Sequence, residues 1–367
     1  MYLRCVTANK LTGLARILLV ITLSLGITTV LHCKEQPQDF DALLLAIEIE
    51  KTSNQKATQE KIAILKDNYQ YLNDDQKELY QFFAAHSLAL NGSLGDSINK
   101  LEDLIQHSKN TTLITRVHAL LSNVYLFKGE YEQAYLNAAT AIKNLAGMEA
   151  QSWHKYATLH NLTSLFRQSG MTNTAIDYAR QMLKEVEQYK QPLQLCGSYF
   201  ELADLELSMK NVELAWSHGQ EAINYCKKAK DPIYYTMALN LEAKLLLQAD
   251  KREQALYLLE KHYPKVKEID YKTLTTVFEL QLAETYLEVK DFDKAFAVAI
   301  IAYNRAQQMN DKVRLMLLSK VIATYYSETG QLKESLKYYR QYIEMEKEIE
   351  ILTNKRKVAY YMVSQRH

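Results

Sequence analysis

Apolar residues recur along this chain three and four positions apart from Asp39 almost to the C-terminus, a helical period, and nowhere do they alternate over the length of a strand. Asp39–Glu50 (DFDALLLAIEIE) and Ala57–Leu72 are the first two such stretches, and the polar TSNQK between them predicts a helix pair. From Lys77 onward a second, longer period appears. A small residue in one helix is followed 12 positions later by a small residue in the next. The first-helix positions are Ala85, Ser122, Thr163, Ala203, Ala243, Ala283 and Ala323, with partners Ser97, Ala134, Ala175, Ala215, Ala255, Ala295 and Ser335. Successive pairs are 37, 41, 40, 40, 40 and 40 residues apart. Two antiparallel helices about 8 to 10 Å apart need such a gap where their side chains would collide. Three residues after each first-helix position stands Leu88, Tyr125, Phe166, Leu246, Tyr286 or Tyr326 to fill the surrounding space, and Glu206 interrupts this series. Glu242 interrupts the large apolar residues that precede the small ones. Gly92, Gly129, Gly170 and Gly330, with Lys210, Asp250 and Lys290 in the equivalent place, predict a short turn inside each unit. Each unit is an αα-hairpin.

Composition agrees with helix throughout, because ten glycines and four prolines are few for 367 residues. With 44 basic and 43 acidic residues, the balance points away from nucleic acid and anionic membrane surfaces and toward a protein partner. The N-terminus reads differently from the rest. Arg4, Lys10 and Arg16 precede an uncharged run of 15 residues from Ile17 to Leu31, short for a spanning helix, which needs about 17 to 25 residues. Residues 1–33 are therefore expected to be a signal peptide or an N-terminal membrane anchor, with a lipid-modified Cys33 as a third reading. All three export the body of the chain and place it in the periplasm, tethered to the inner membrane if the segment is retained. The membrane is then met only through this segment. Residues 34–76 form a degenerate helix pair, 77–345 the repeat array, and 346–367 a C-terminal helix. That last helix is read either as a polar cap over the final hairpin or as a short dimerising element.

The stretches LLSNVYLFKGEYEQAYLNAATAI, LQLAETYLEVKDFDKAFAVAIIA and VIATYYSETGQLKESLKYYRQYI resemble tetratricopeptide repeats. The resemblance implies an all-α, right-handed α-solenoid of about seven hairpins, with a period near 40 rather than the usual 34. A weaker resemblance rests on the period, the N-terminal segment and the closing YYRQYIEMEKEIEILTNKRKVAYYMV. These resemble periplasmic sensor regions of gammaproteobacterial diguanylate cyclases, although the cyclase itself does not follow. It implies a stand-alone relic or regulatory form of such a sensor, dimerising weakly through its C-terminal helix.

No catalytic or cofactor motif is present: there is no H-E-x-x-H, C-x-x-C, G-x-G-x-x-G or phosphate-binding loop. His86, His118, His154, His160 and His218 fall in different hairpins without metal-ligand spacing. The chain is expected to bind, with no cofactor or metal, and to be no enzyme. In tetratricopeptide arrays the first helices line the concave face. Positions three before and one after each small residue then give Phe82, His86, Asn123, His160, Ser164, Phe200, Asp204, Asn240, Lys244, Glu284 and Lys320 as the candidate groove. Its alternating charges suit an extended peptide or protein segment, while Phe82 and His86 replace the Lys and Asn that hold a chaperone tail in related domains. Cys196 and Cys226 lie 30 residues apart, at ends of one hairpin that meet in space, and are a candidate disulfide.

Overall fold

Helix start signals are written along the chain, and the structure uses them. Asn73 accepts from the Gln76 amide, which returns the bond in a capping box; Asn110, Ser152, Asp231, Asp291 and Asp311 each cap a later helix, and Pro192 and Pro232 occupy first turns. The computed structural model describes residues 39–366 apart from 53, 151, 189, 190 and 270; the segment expected at 1–33, with Cys5 and Cys33, lies outside the described residues. Among the described residues there are 16 α-helices, one 3-10 turn and no strand. Helices α1 (Phe40–Glu50) and α2 (Gln55–Asp67) form the opening pair. Seven hairpins follow: α3 (Asp74–Leu90) with α4 (Leu94–His107), α5 (Thr111–Lys128) with α6 (Tyr131–Leu145), and α7 (Trp153–Gln168) with α8 (Thr172–Val186). Next come α9 (Pro192–Ser208) with α10 (Val212–Ala229), α11 (Pro232–Gln248) with α12 (Arg252–Glu268), and α13 (Lys272–Glu288) with α14 (Phe292–Gln308). The last is α15 (Lys312–Glu328) with α16 (Leu332–Ser364). This is the right-handed tetratricopeptide-like solenoid.

The small-residue register holds at every hairpin. Of the fourteen positions, thirteen are fully buried and Ser335 keeps only 5% of its surface. In the first and last hairpins the small residue also ties the two helices together: Ser97 Oγ donates to the Ala85 carbonyl at 2.8 Å, and Ser335 Oγ to that of Ala323 at 3.0 Å. The turns are uniform too. Gly92, Gly129, Gly170 and Gly330 have left-handed backbones, and so do Lys210, Asp250 and Lys290, with φ of 62°, 57° and 62°. Glu206 breaks the sequence pattern without breaking the fold. It is fully buried and accepts from Arg180 at 3.0 Å and from Asn211 at 2.7 Å. Close approach is set by the small residues, so a paired carboxylate can replace a ring beside them. At the equivalent place Tyr286 is buried and sends its hydroxyl to Glu260 at 2.7 Å.

Two features close the array on itself. The boundary expected at 345/346 falls inside α16, a single helix of 33 residues. Its distal half packs beyond the last hairpin, on α6 and the α7–α8 turn: Tyr360 meets the rings of Tyr135 and Phe166, Val363 is buried among them, and Arg356 donates to the Gln168 carbonyl at 2.6 Å. Arg366 reaches Glu132 at 2.7 Å. Gly170 combines a φ of 68° with the close approach of Thr353, whose methyl would lie 2.7 Å from an added Cβ. At the opposite edge the α1–α2 loop meets the starts of later first helices, where Thr52, Asn54 and Lys56 share a groove with Lys230, Pro232 and Tyr271. No helix among the described residues is long and apolar enough to cross a membrane.

Candidate functional site

Helices α1, α3, α5, α7, α9, α11, α13 and α15 form the inner wall. At its head, six of them converge on a cavity of about 100 Å³, lined by Glu48 and Lys51 from the end of α1, Phe82 and His86 from α3, Arg116 from α5, Trp153, Tyr156 and His160 from α7, and, at its edge, Gln194 from α9 and Tyr234 from α11. The Glu48 carboxylate is buried and paired with Arg116 at 2.6 Å and with Lys51. Burial raises its pKa, but Lys51 and Arg116 outweigh burial and hold the carboxyl well below the usual range. The Arg116 guanidinium lies over the Phe82 ring, 4.6 Å from its centre, and meets His154 Nδ1 at 3.0 Å. Burial, reinforced by Lys51 and Arg116, pushes His86 down to about 3. Burial lowers His160 as well, against the pull of Glu201.

Farther along, the wall becomes a ladder of charges. Arg167 lies 3.5 Å from Glu201 and 3.8 Å from Asp204, and Lys244 lies 3.2 Å from the other oxygen of Asp204. Burial raises the Glu284 carboxyl, and Lys244 and Lys320 oppose that rise from either side. Lys320 itself is exposed, with its ammonium 5.7 Å above the Tyr342 ring.

The groove residues expected from the sequence fall into three groups. His86 and His160 line the head cavity together, with Phe82 buried against Arg116 in its wall. Asp204, Lys244, Glu284 and Lys320 make the ladder. Asn123, Ser164, Phe200 and Asn240 lie between them in function. The Asn123 amide bridges α5 and α7 by donating to the Ala119 and Asn161 carbonyls at 3.2 and 2.9 Å, Ser164 Oγ accepts from Gln168 at 2.9 Å, and Phe200 packs on the Ala203–Ala215 cluster. Asn123 and Asn240 are both buried, and the side-chain oxygen of each has no hydrogen-bond partner. The sequence reading missed Glu48, Lys51, Arg116, Trp153, Tyr156, Arg167 and Glu201. Tyr156 and Arg167 were within reach of it, since Tyr156 stands seven before Thr163 and Arg167 four after, continuing the stripe of which only two rungs were taken. Cys196 and Cys226 are joined in a disulfide with Cα atoms 4.7 Å apart, tying the first turn of α9, beside Gln194 of the cavity wall, to the last turn of α10. Among the described residues no group of three His, Cys, Asp or Glu side chains is placed to hold a metal ion.

No protein-family model matches the chain, and no curated protein matches it by sequence. Solved structures do share its fold. The apo form of RapI aligns over 87% of this chain and 89% of its own, at 17% identity and a TM-score of 0.57. A Rap protein complexed with Competence and Sporulation Factor aligns over 85% and 97%, at 12% identity and a TM-score of 0.60. NprR in complex with its cognate peptide NprX aligns over 89% and 82%, at 12% identity and a TM-score of 0.56. A tetratricopeptide repeat protein from Parabacteroides merdae aligns over 77% and 99%, at 13% identity and a TM-score of 0.52, so the chain is similar in fold to a tetratricopeptide protein and to two proteins captured with a bound peptide or factor.

Proposed function

We infer that this chain is a binding module, a scaffold or sensor that captures a peptide or an extended protein segment along its inner wall and performs no chemistry on it. The observation that carries the reading is the pair of buried, unpartnered side-chain oxygens of Asn123 and Asn240 on first helices of the array. An unsatisfied buried acceptor costs about 1 to 3 kcal/mol, a cost that a ligand N–H removes once the side chain turns to meet it. The fold shared with RapI and with NprR in complex with NprX supports the same reading. The self-neutralising ladder of Arg167, Glu201, Asp204 and Lys244 suits a ligand read by backbone and shape more than by net charge. The dimeric sensor relic is the weaker reading, because its C-terminal helix here spends Tyr360 and Val363 on its own chain. We place the body outside the cytoplasm, in an envelope signalling or assembly role, with the N-terminal segment as signal or tether; the Cys196–Cys226 bridge supports that reading.

Selection from a random decapeptide library tests the binding reading. The wild-type protein is expected to retain peptides at least tenfold better than a variant carrying Asn123→Leu and Asn240→Leu whose helicity matches the wild type. Equal retention by the two rejects the groove.

A further inference from the structure

The head cavity carries more positive charge than its own carboxylate can neutralise. Lys51 and Arg116 face a single anion, Glu48, and the remaining titratable groups on the lining are histidines and tyrosines. Glu50 is turned away to Lys61 at 2.5 Å. Glu201, 4.0 Å from His160 by one oxygen, is held by Arg167 at 3.5 Å through the other. Arg116 is 2% exposed, and after it has met Glu48 and His154 its Nε still lacks a hydrogen-bond partner. A buried, uncompensated cation is costly, and a fixed fork of donors already in place favours a planar oxyanion. The space is small: about 100 Å³, with Phe82, Trp153 and Tyr156 in its walls, has room for a few waters or a group of that size.

We propose that this cavity is a binding site for a small oxyanion, a carboxylate or an inorganic phosphate, held by Arg116 and Lys51 beside the resident Glu48 carboxylate. Glu48 sets the affinity. It neutralises one of the two cations, so the site takes one further negative charge and takes it weakly enough to exchange. The bound anion would touch the first turn of α9 through Gln194 and the start of α7 through Trp153, which links occupancy to two inner helices at once. The site does not depend on peptide capture, because a free ion reports on it whether or not a peptide ever occupies the groove.

Trp153 supplies the probe, since Trp216 is the other of the two tryptophans and can be removed as Trp216→Phe. Sodium acetate, N-acetylglycine and sodium phosphate are titrated into the full chain against acetamide and, at equal ionic strength, sodium chloride. Saturable fluorescence change and a rise in Tm with any of the three oxyanions, absent with acetamide and chloride, is the expected result. Response to acetate and N-acetylglycine assigns the site to carboxylates, and response to phosphate alone assigns it to the inorganic ion. Glu48→Gln is expected to tighten binding at least tenfold, and Lys51→Met, which leaves Glu48 paired with Arg116, to abolish it. If Glu48→Gln lowers stability, oxyanion should restore its Tm more than chloride does. The proposal is overturned if the oxyanions act no differently from acetamide and chloride in both the wild type and Glu48→Gln. A carboxylate response without retention of library peptides would leave this site standing and remove the groove reading.

Discussion

The head of the inner wall, α1 to α7, and its tail, α9 to α15, are built from the same repeat but held by different means. At the head the charges are buried and reach across intervening helices: Glu48 and Arg116 lie 68 residues apart and have side chains 7% and 3% exposed. At the tail Asp204 and Lys244 pair between neighbouring first helices, 40 residues apart, and stay partly in solvent at 27% and 38%. The apolar core follows the same division. The largest cluster draws most of its residues from Leu44 to Ala179, with a smaller one around Leu159 beside it and an extension to Leu205 in α9, whereas the later hairpins are filled by smaller clusters, such as those around Leu259 and Ile322. Turns divide as well, with glycine at Gly92, Gly129 and Gly170 in the head and Lys210, Asp250 and Lys290 at the next three. The lesson is that one register can support a rigid end and an adaptable end. Along the inner wall the head fixes shape through buried pairs and the tail keeps partly exposed pairs that can be exchanged for ligand contacts, while the tail's buried carboxylates, Glu206 with Arg180 and Glu279 with Arg305, lie between first and second helices.

Three substitutions probe this division. The largest effect is expected at the head, where Arg116→Met leaves Glu48 buried with Lys51 alone and should cost about 3 kcal/mol in urea unfolding. A loss under 1 kcal/mol would put the head on the same footing as the exposed tail pairs, which are worth about 0 to 1 kcal/mol each. Next is acid. His86 is pushed down to about 3 in the folded chain and titrates near 6.5 when unfolded, so below about pH 6.5 the unfolded state takes up a proton that the folded state refuses. Stability from this group is complete above that pH and drains away as pH falls toward 3. Between pH 7 and pH 5.5 the loss should be on the order of 1 kcal/mol, and His86→Gln should flatten that part of the profile. The smallest effect belongs to the tail turns. Lys290→Gly removes a side chain from a left-handed backbone and should raise stability by about 0.5 to 1 kcal/mol; an unchanged Tm would mean that the lysine compensates elsewhere.

How much of this could be seen in advance follows from which interactions repeat. The hairpins, their turns and the close-approach positions were legible because they recur every 40 residues and small size has a single meaning at each. The head cavity was half legible. His86 and His160 came from the repeat register, but Glu48 stands in the opening pair, where no register exists, and its partner is two first helices away. That contact depends on how tightly the superhelix winds, a quantity summed over several hairpins and written in none. The return of α16 was hidden for the same reason. The spacing of Ala359, Tyr360 and Val363 is that of any amphipathic helix, and only the accumulated curvature decides whether it meets the last hairpin or the second and third.

That return changes what kind of object the array is. In an open stack of repeats each unit touches only its neighbours, so the terminal units fray first and the chain can unzip from either end. Here the last helix of the chain is anchored on α6 and on Gln168, more than half the molecule away in sequence. The last hairpin is then no longer a free end. Losing the last one strips cover from Tyr135 and Phe166, and loosening the second or third releases the last. A stack that would melt progressively becomes a loop that melts as one, and an event at the head is felt by the tail without passing through the hairpins between.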